Sequence, residues 1–153
     1  MTRKDDDPNP DVRYEFDHSR RAAAQARDAL DRLLTEPDDP IADDVRLAAS
    51  ELVTNVVVHT ADGGELRAWD PCPDVPLRVE VEDGDPGLPV MPDERPAVGG
   101  LGLSIVDTVS DRWGVDDAPP GKVVWAEFDR NRRIDDSLAP DDNERPVESI
   151  GGD

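Results

Sequence analysis

One stretch, residues 40–59, limits the possible folds more than any other. Ile41, Val45, Ala48, Ala49, Leu52, Val53, Val56 and Val57 recur at helical spacing and cover most of the helix circumference. Such a helix has to lie against a sheet. Asp39 reads as its cap, with Pro40 at the first helical position. Inside it, positions 47, 51, 55 and 59 form an i, i+4 row, so Glu51, Asn55 and His59 share a face. A buried carboxylate and a buried amide are unfavourable unless something binds them. One solution is a nucleotide with Mg²⁺, where Asn55 offers a carbonyl oxygen to a hard cation and Glu51 accepts or orients a proton. The other is hydrogen bonding of the row to neighbouring strands.

The rest of the chain supplies the sheet. Residues 12–16 alternate and read as an edge strand. Ser19 can cap a helix through about residue 34, with Ala22, Ala26, Ala29, Leu30 and Leu33 on its buried face. Gly63 and Gly64 follow the long helix. Residues 66–70 and 77–82 read as strands joined by a Pro-rich turn, 101–110 as a short helix, and 112–115 and 123–128 as the last strands. The order predicts an α/β two-layer sandwich, a mostly antiparallel mixed sheet with helices on one face. The folded part spans 12–130, between acidic tails at 1–11 and 131–153 expected to be disordered.

Two further segments carry chemistry. Asp83 ends a strand, where a carboxylate can accept a hydrogen bond from an exocyclic amine such as adenine's. Read alone, Asp83-Gly84 is equally an ordinary turn signal. Gly99, Gly100 and Gly102 open the 101–110 helix. Glycines let backbone approach phosphates, and a helix start aims free N–H groups at them. The intervening loop, 84–100, has no periodicity and can close as a lid.

Composition narrows the partners. The 153 residues carry a net charge of −20, which argues against direct nucleic-acid binding and favours partners with basic surfaces. The single cysteine, Cys72, forms no internal disulfide and reads as an inert loop thiol in a reducing cytoplasm. The N-terminus has no apolar leader core, and no apolar run is long enough to span a bilayer.

In order and spacing, these segments resemble the GHKL ATP-binding superfamily of gyrases, heat-shock chaperones and histidine kinases, whose fold is of the Bergerat type. Within it the chain looks most like bacterial anti-sigma-factor serine kinases, in particular the stand-alone regulatory ATP-binding proteins of actinobacterial type. Residues 51–59 are similar to the N box, 83–89 to the G1 box and 99–103 to the G2 box. Ser110-Asp111-Arg112-Trp113-Gly114-Val115 is typical of the subgroup, and 121–128 is similar to the closing strand. The resemblance implies Glu51 as general base, Asn55 as Mg²⁺ ligand and Asp83 on adenine. It also implies Gly87, Gly99, Gly100, Leu101, Gly102 and Leu103 around the nucleotide. The implied activity is sequestration of a sigma factor, with ATP-dependent phosphorylation of an anti-anti-sigma protein of the STAS type. A homodimer is a further expectation, because relatives often dimerise.

The sequence departs from the pattern at three places. Asp85 replaces the usual first glycine of the G1 box, Leu101 stands where an arginine is common, and Val123 where the closing strand often has a hydroxyl. These departures motivate a second reading, a non-catalytic partner-binding module with weak or no nucleotide binding. A self-sufficient histidine kinase is disfavoured: the only histidines are His18 and His59, and no helical hairpin presents a phospho-acceptor.

Overall fold

Alternation at Val12, Tyr14 and Phe16 drives β1 (Val12–Phe16), with Val12 and Phe16 buried and Arg13 and Glu15 exposed. The computed structural model describes residues 8–60, 62–84 and 101–138. After β1 come α1 (Ala22–Leu30), α2 (Ala42–His59), β2 (Gly64–Trp69), β3 (Leu77–Asp83), α3 (Leu101–Val109), β4 (Arg112–Ala118), β5 (Gly121–Phe128) and α4 (Arg130–Leu138). The sheet order is β1-β2-β3-β5-β4. Every pairing is antiparallel, so the expected two-layer α/β sandwich is realised with a purely antiparallel sheet among the described residues.

One face of the sheet is apolar and carries the helices. Val12, Phe16, Leu66, Ala68, Leu77, Val79, Val81, Val124, Ala126 and Phe128 form the sheet side of the core. Val45, Ala48, Ala49, Leu52, Val53 and Val56 of α2 pack onto it, flanked by Ala22, Ala26 and Leu30 of α1 and by Leu103 and Val106 of α3. Burial of this near-continuous aliphatic layer, at about 25 cal/mol per Å² of apolar area, is the main stabilising term. Tyr14 adds a hydroxyl hydrogen bond to the Gln25 side chain, tying β1 to α1.

The helix limits differ from the expected ones for local reasons. Ser19 does not cap α1 directly: its Oγ accepts the Arg21 N–H at 3.1 Å in the turn before the helix, and α1 starts later, at Ala22, with Arg21 as its N-cap. The helix ends at Leu30 and is followed by turns, in which Leu33 and Leu34 still pack on the core. Asp39 Oδ1 accepts the Ile41 N–H at 3.2 Å, so it caps the turn before α2, which begins at Ala42.

The folded part also continues past residue 130. α4 carries few apolar residues and is held by charge. Arg130 reaches Asp39 and Asp70, while Arg133 reaches Asp111 at 2.9 Å, Asp44 at 3.1 Å and the Val109 carbonyl at 2.6 Å. At the other end, Pro8 to Asp11 lie beside β2: the Trp69 indole N–H donates to the Pro8 carbonyl, and Asp11 Oδ2 accepts the Asp70 N–H. The tail expectations for 1–7 and 139–153, and the lid expectation for 85–100, lie outside the described residues. No helix among the described residues is long and apolar enough to cross a membrane.

Candidate functional site

The polar row on α2 is where the sequence puts it, but it does not bond to the strands. Leu52, Val53 and Val56 are buried, whereas Glu51 and Asn55 are half-buried and His59 is exposed. Glu51 and Asn55 make no side-chain hydrogen bond or ion pair among the described residues. Both are therefore oxygen donors held on a rigid helix and left open. Thr60 closes that helix, donating its hydroxyl to the Val56 carbonyl at 2.8 Å.

Chain direction brings the three segments to one end of the sheet. Only residues 60–63 separate the end of α2 from Gly64, and Gly64 pairs with Asp83. The C-terminal half of α2, with Asn55, thus lies at the Asp83 end. α3 finishes at Val109, just before Arg112 pairs with Glu127 at the opposite end of β5. Its N-terminus consequently points back toward the Asp83 end, where first-turn N–H groups without intrahelical partners and the positive helix pole favour anions. Leu101 and Gly102 form that first turn. Leu103 is 2 % exposed, so its side chain belongs to the core and only its backbone can meet a ligand. Gly87, Gly99 and Gly100, together with the departure at Asp85, lie outside the described residues.

Asp83 has a partner that the sequence reading did not assign. Its register neighbour on β5 is Lys122, and Lys122 Nζ lies 3.1 Å from Asp83 Oδ2. Both residues are buried, at 7 % and 8 % exposure. The backbone beneath them is tightly packed: a Cβ on Gly121 would sit 1.8 Å from the Asp83 carbonyl oxygen. The same register fixes the side on which Val123 lies. Val123 pairs with Glu82 and Asp116, so strand alternation turns it to the face away from Asp83. The closing-strand residue that shares the face of Asp83 is Lys122. Counting alternation back from the apolar Val124 and Ala126 would have found it.

The sheet face away from the helices is a lattice of charges. Arg67 pairs with Glu65 and Glu82 at 2.7 Å each, Arg78 with Glu80 at 2.9 Å and Glu127 at 3.0 Å, and Arg112 with Glu127 at 3.0 Å and Asp129 at 2.8 Å. Burial pulls the Arg67 and Arg78 guanidinium pKa values down, and their carboxylate partners more than offset it, so both stay above the ordinary arginine value. The hydrogen bonds from Arg112 to Asp129 and Glu127 raise its value well above the usual one. Arg78 also stacks over the Trp125 ring at 4.4 Å. A groove of about 720 Å³, with Trp69, Val75, Pro76 and Val123 in its lining, runs over this face, well removed from Glu51 and Asn55.

The donor set at the Asp83 end fits a purine nucleotide with a hard cation. No group of three or more His, Cys, Asp or Glu is gathered for a metal among the described residues. A cation held by Asn55 would need oxygen ligands from a phosphate chain, which is how Mg²⁺ is usually held. Phosphates would meet the start of α3, and a base would meet Asp83 and Lys122. A family model described as a histidine kinase-like ATPase domain matches residues 15–128. No curated protein matches the chain.

Proposed function

The chain belongs to the histidine kinase-like ATPase domain family, and from that premise we propose that it is an ATP-binding regulatory protein of the anti-sigma-factor serine/threonine kinase type. It would hold a sigma factor in an inactive complex and phosphorylate an anti-anti-sigma antagonist of the STAS type. The observation that carries this reading is the open Glu51/Asn55 pair, which lies on α2 at the Asp83 end of the sheet. Asn55 would give its carbonyl oxygen to Mg²⁺, which when bound neutralises charge on the phosphates. Asp83 would hold the base. Glu51 would take the proton of the attacking serine or threonine hydroxyl, and a carboxylate with no ion-pair partner among the described residues suits that role.

The test is a Mg·ATP titration of wild type and Asn55→Ala. Loss of one charge-assisted ligand is worth about 1.5–3 kcal/mol, so Asn55→Ala is expected to weaken Mg·ATP binding by about 10- to 100-fold. In the same preparation Glu51→Gln should keep nucleotide binding within a few-fold and lose transfer of labelled phosphate to the antagonist. Equal Mg·ATP affinity in wild type and Asn55→Ala would sink the proposed site. Binding of ATP with no transfer to any cognate antagonist would sink the kinase step.

The Asp83–Lys122 pair favours a second reading. There, the carboxylate meant for the base is already neutralised, and the domain grips its partner without nucleotide. Wild type that shows no Mg·ATP binding while still capturing a sigma factor is the expected result under that reading.

A further inference from the structure

The groove of about 720 Å³ on the helix-free face of the sheet has two chemically different ends. One is apolar, lined by Trp69, Val75 and Pro76 beside Pro8 and Pro71. Val75 is 45 % exposed although its side chain is apolar. Trp69 is held by its indole N–H bond to the Pro8 carbonyl at 2.8 Å. The prolines leave this wall little backbone freedom to lose on binding.

The other end is acidic. Asp116 and Asp117 stand near the end of β4, with Asp116 opposite Val123. Neither aspartate side chain makes a hydrogen bond or ion pair among the described residues. Between the two ends the guanidiniums are already engaged, Arg67 by Glu65 and Glu82, and Arg78 by Glu80 and Glu127. Of the charged side chains in the lining, six are carboxylates and only two are guanidiniums, so the groove carries negative charge that its own cations do not meet.

We propose that this groove is a docking site for an extended segment of a partner protein that carries a bulky apolar residue and a pair of basic residues. The apolar residue enters between Trp69, Val75 and Pro76, and the basic pair meets Asp116 and Asp117. Register sets the spacing. Trp69, Arg78 and Glu127 are successive cross-strand partners, Val123 lies four residues from Glu127 along β5, and Asp116 stands beside Val123. The ends are therefore about 13 Å apart along the strands and about 14 Å across them, or about 19 Å on the diagonal, which about six residues of extended chain span. A second copy of this chain is a poor occupant, because it brings the same excess of carboxylates in a chain of net charge −20. Nucleic acid is disfavoured by the same sign. Because α2 packs on the opposite face, docking here is independent of the nucleotide reading above.

The experiment selects binders of the full chain from a random peptide library of about twelve residues, then measures the best binder, labelled with fluorescein, by fluorescence anisotropy. Selected peptides are expected to be rich in lysine and arginine, with a bulky apolar residue about six positions from the basic pair. Asp116→Asn with Asp117→Asn should weaken that peptide by about tenfold, and Val75→Asp by about tenfold or more. Asp28→Asn with Glu36→Gln removes the same two charges at exposed positions of other elements and should change affinity by no more than about twofold.

A library that yields no binder, or binders no richer in basic residues than the input, overturns the proposal. So does a Val75→Asp affinity equal to wild type, or equal weakening by the two charge-removing pairs, which marks general attraction to an acidic protein. A chain that sediments as a dimer and dissociates in Val75→Asp also overturns it, since a second copy then covers the face. Urea melts report the folding of each variant, and Val75→Ser repeats the measurement should Val75→Asp lose stability.

Discussion

Replacing Arg130 by methionine is expected to lower the unfolding free energy by about 3–5 kcal/mol, the range for removing one partner of a buried ion pair. Arg130 Nη2 donates to Asp39 Oδ2 at 2.9 Å and Nη1 to Asp70 Oδ1 at 2.8 Å, with second bonds to each carboxylate. The Asp39 and Asp70 side chains are 5 % and 13 % exposed. Without the guanidinium, two carboxylates would be left close together and out of water. The hydrogen bond to Asp70 contributes most to raising the Arg130 pKa, with Asp39 adding to it, so the arginine stays charged wherever the protein is folded. Because this shift is upward, the clasp is fully present below the unfolded arginine value, and rising pH does not weaken it in any ordinary buffer. Urea unfolding is the measurement: the midpoint should fall with an unchanged m-value. Asp39→Asn with Asp70→Asn in the Arg130→Met background should restore part of the loss, because the three residues act as one unit. An Arg130→Met midpoint within experimental error of wild type would mean that α4 is not fastened by this clasp.

Such a clasp could not have been read from the chain. Arg130 is 91 residues from Asp39 and 60 from Asp70, and none of the three sits in a periodic pattern. Sequence reasoning sees local periodicity, so it found α2, the β2–β3 and β4–β5 pairs, and Asp83 at a strand end. It treated α4 as tail because the stretch lacks an apolar face, and the structure replaces that face with Arg130 and Arg133 ion pairs. The row of Glu51 and Asn55 was legible for the opposite reason: two polar groups in an apolar helix stand out against a strong pattern. Val123 and Lys122, one position apart on β5, lie on opposite faces of the sheet. In a strand, one residue is the whole difference between facing the helices and facing solvent. Lys122, the residue that touches Asp83, was passed over as part of the closing strand.

The sharpest structural dependence of the site is at Gly121, where Gly121→Ala is expected to destabilise the fold by about 1–3 kcal/mol or more and to weaken nucleotide binding beyond that. A Cβ there would lie 1.8 Å from the Asp83 carbonyl oxygen, 2.6 Å from Gly84 Cα and 2.7 Å from the Asp83 carbonyl carbon. All three are backbone atoms, so no side chain can swing aside. The β3 and β5 ends must separate, and the rung that opens first is Asp83 opposite Lys122. Gly84→Ala is the control, because a Cβ there meets nothing within 4 Å. It should change stability by no more than about 0.5 kcal/mol. Comparing urea midpoints and Mg·ATP affinities of the two variants separates general loosening from loss of the Asp83–Lys122 rung. If Gly121→Ala lost stability yet kept full affinity, the nucleotide would not depend on the Asp83–Lys122 rung, and the base would have to be held elsewhere. If it lost neither, the close approach of β5 to the Asp83 backbone would itself be wrong.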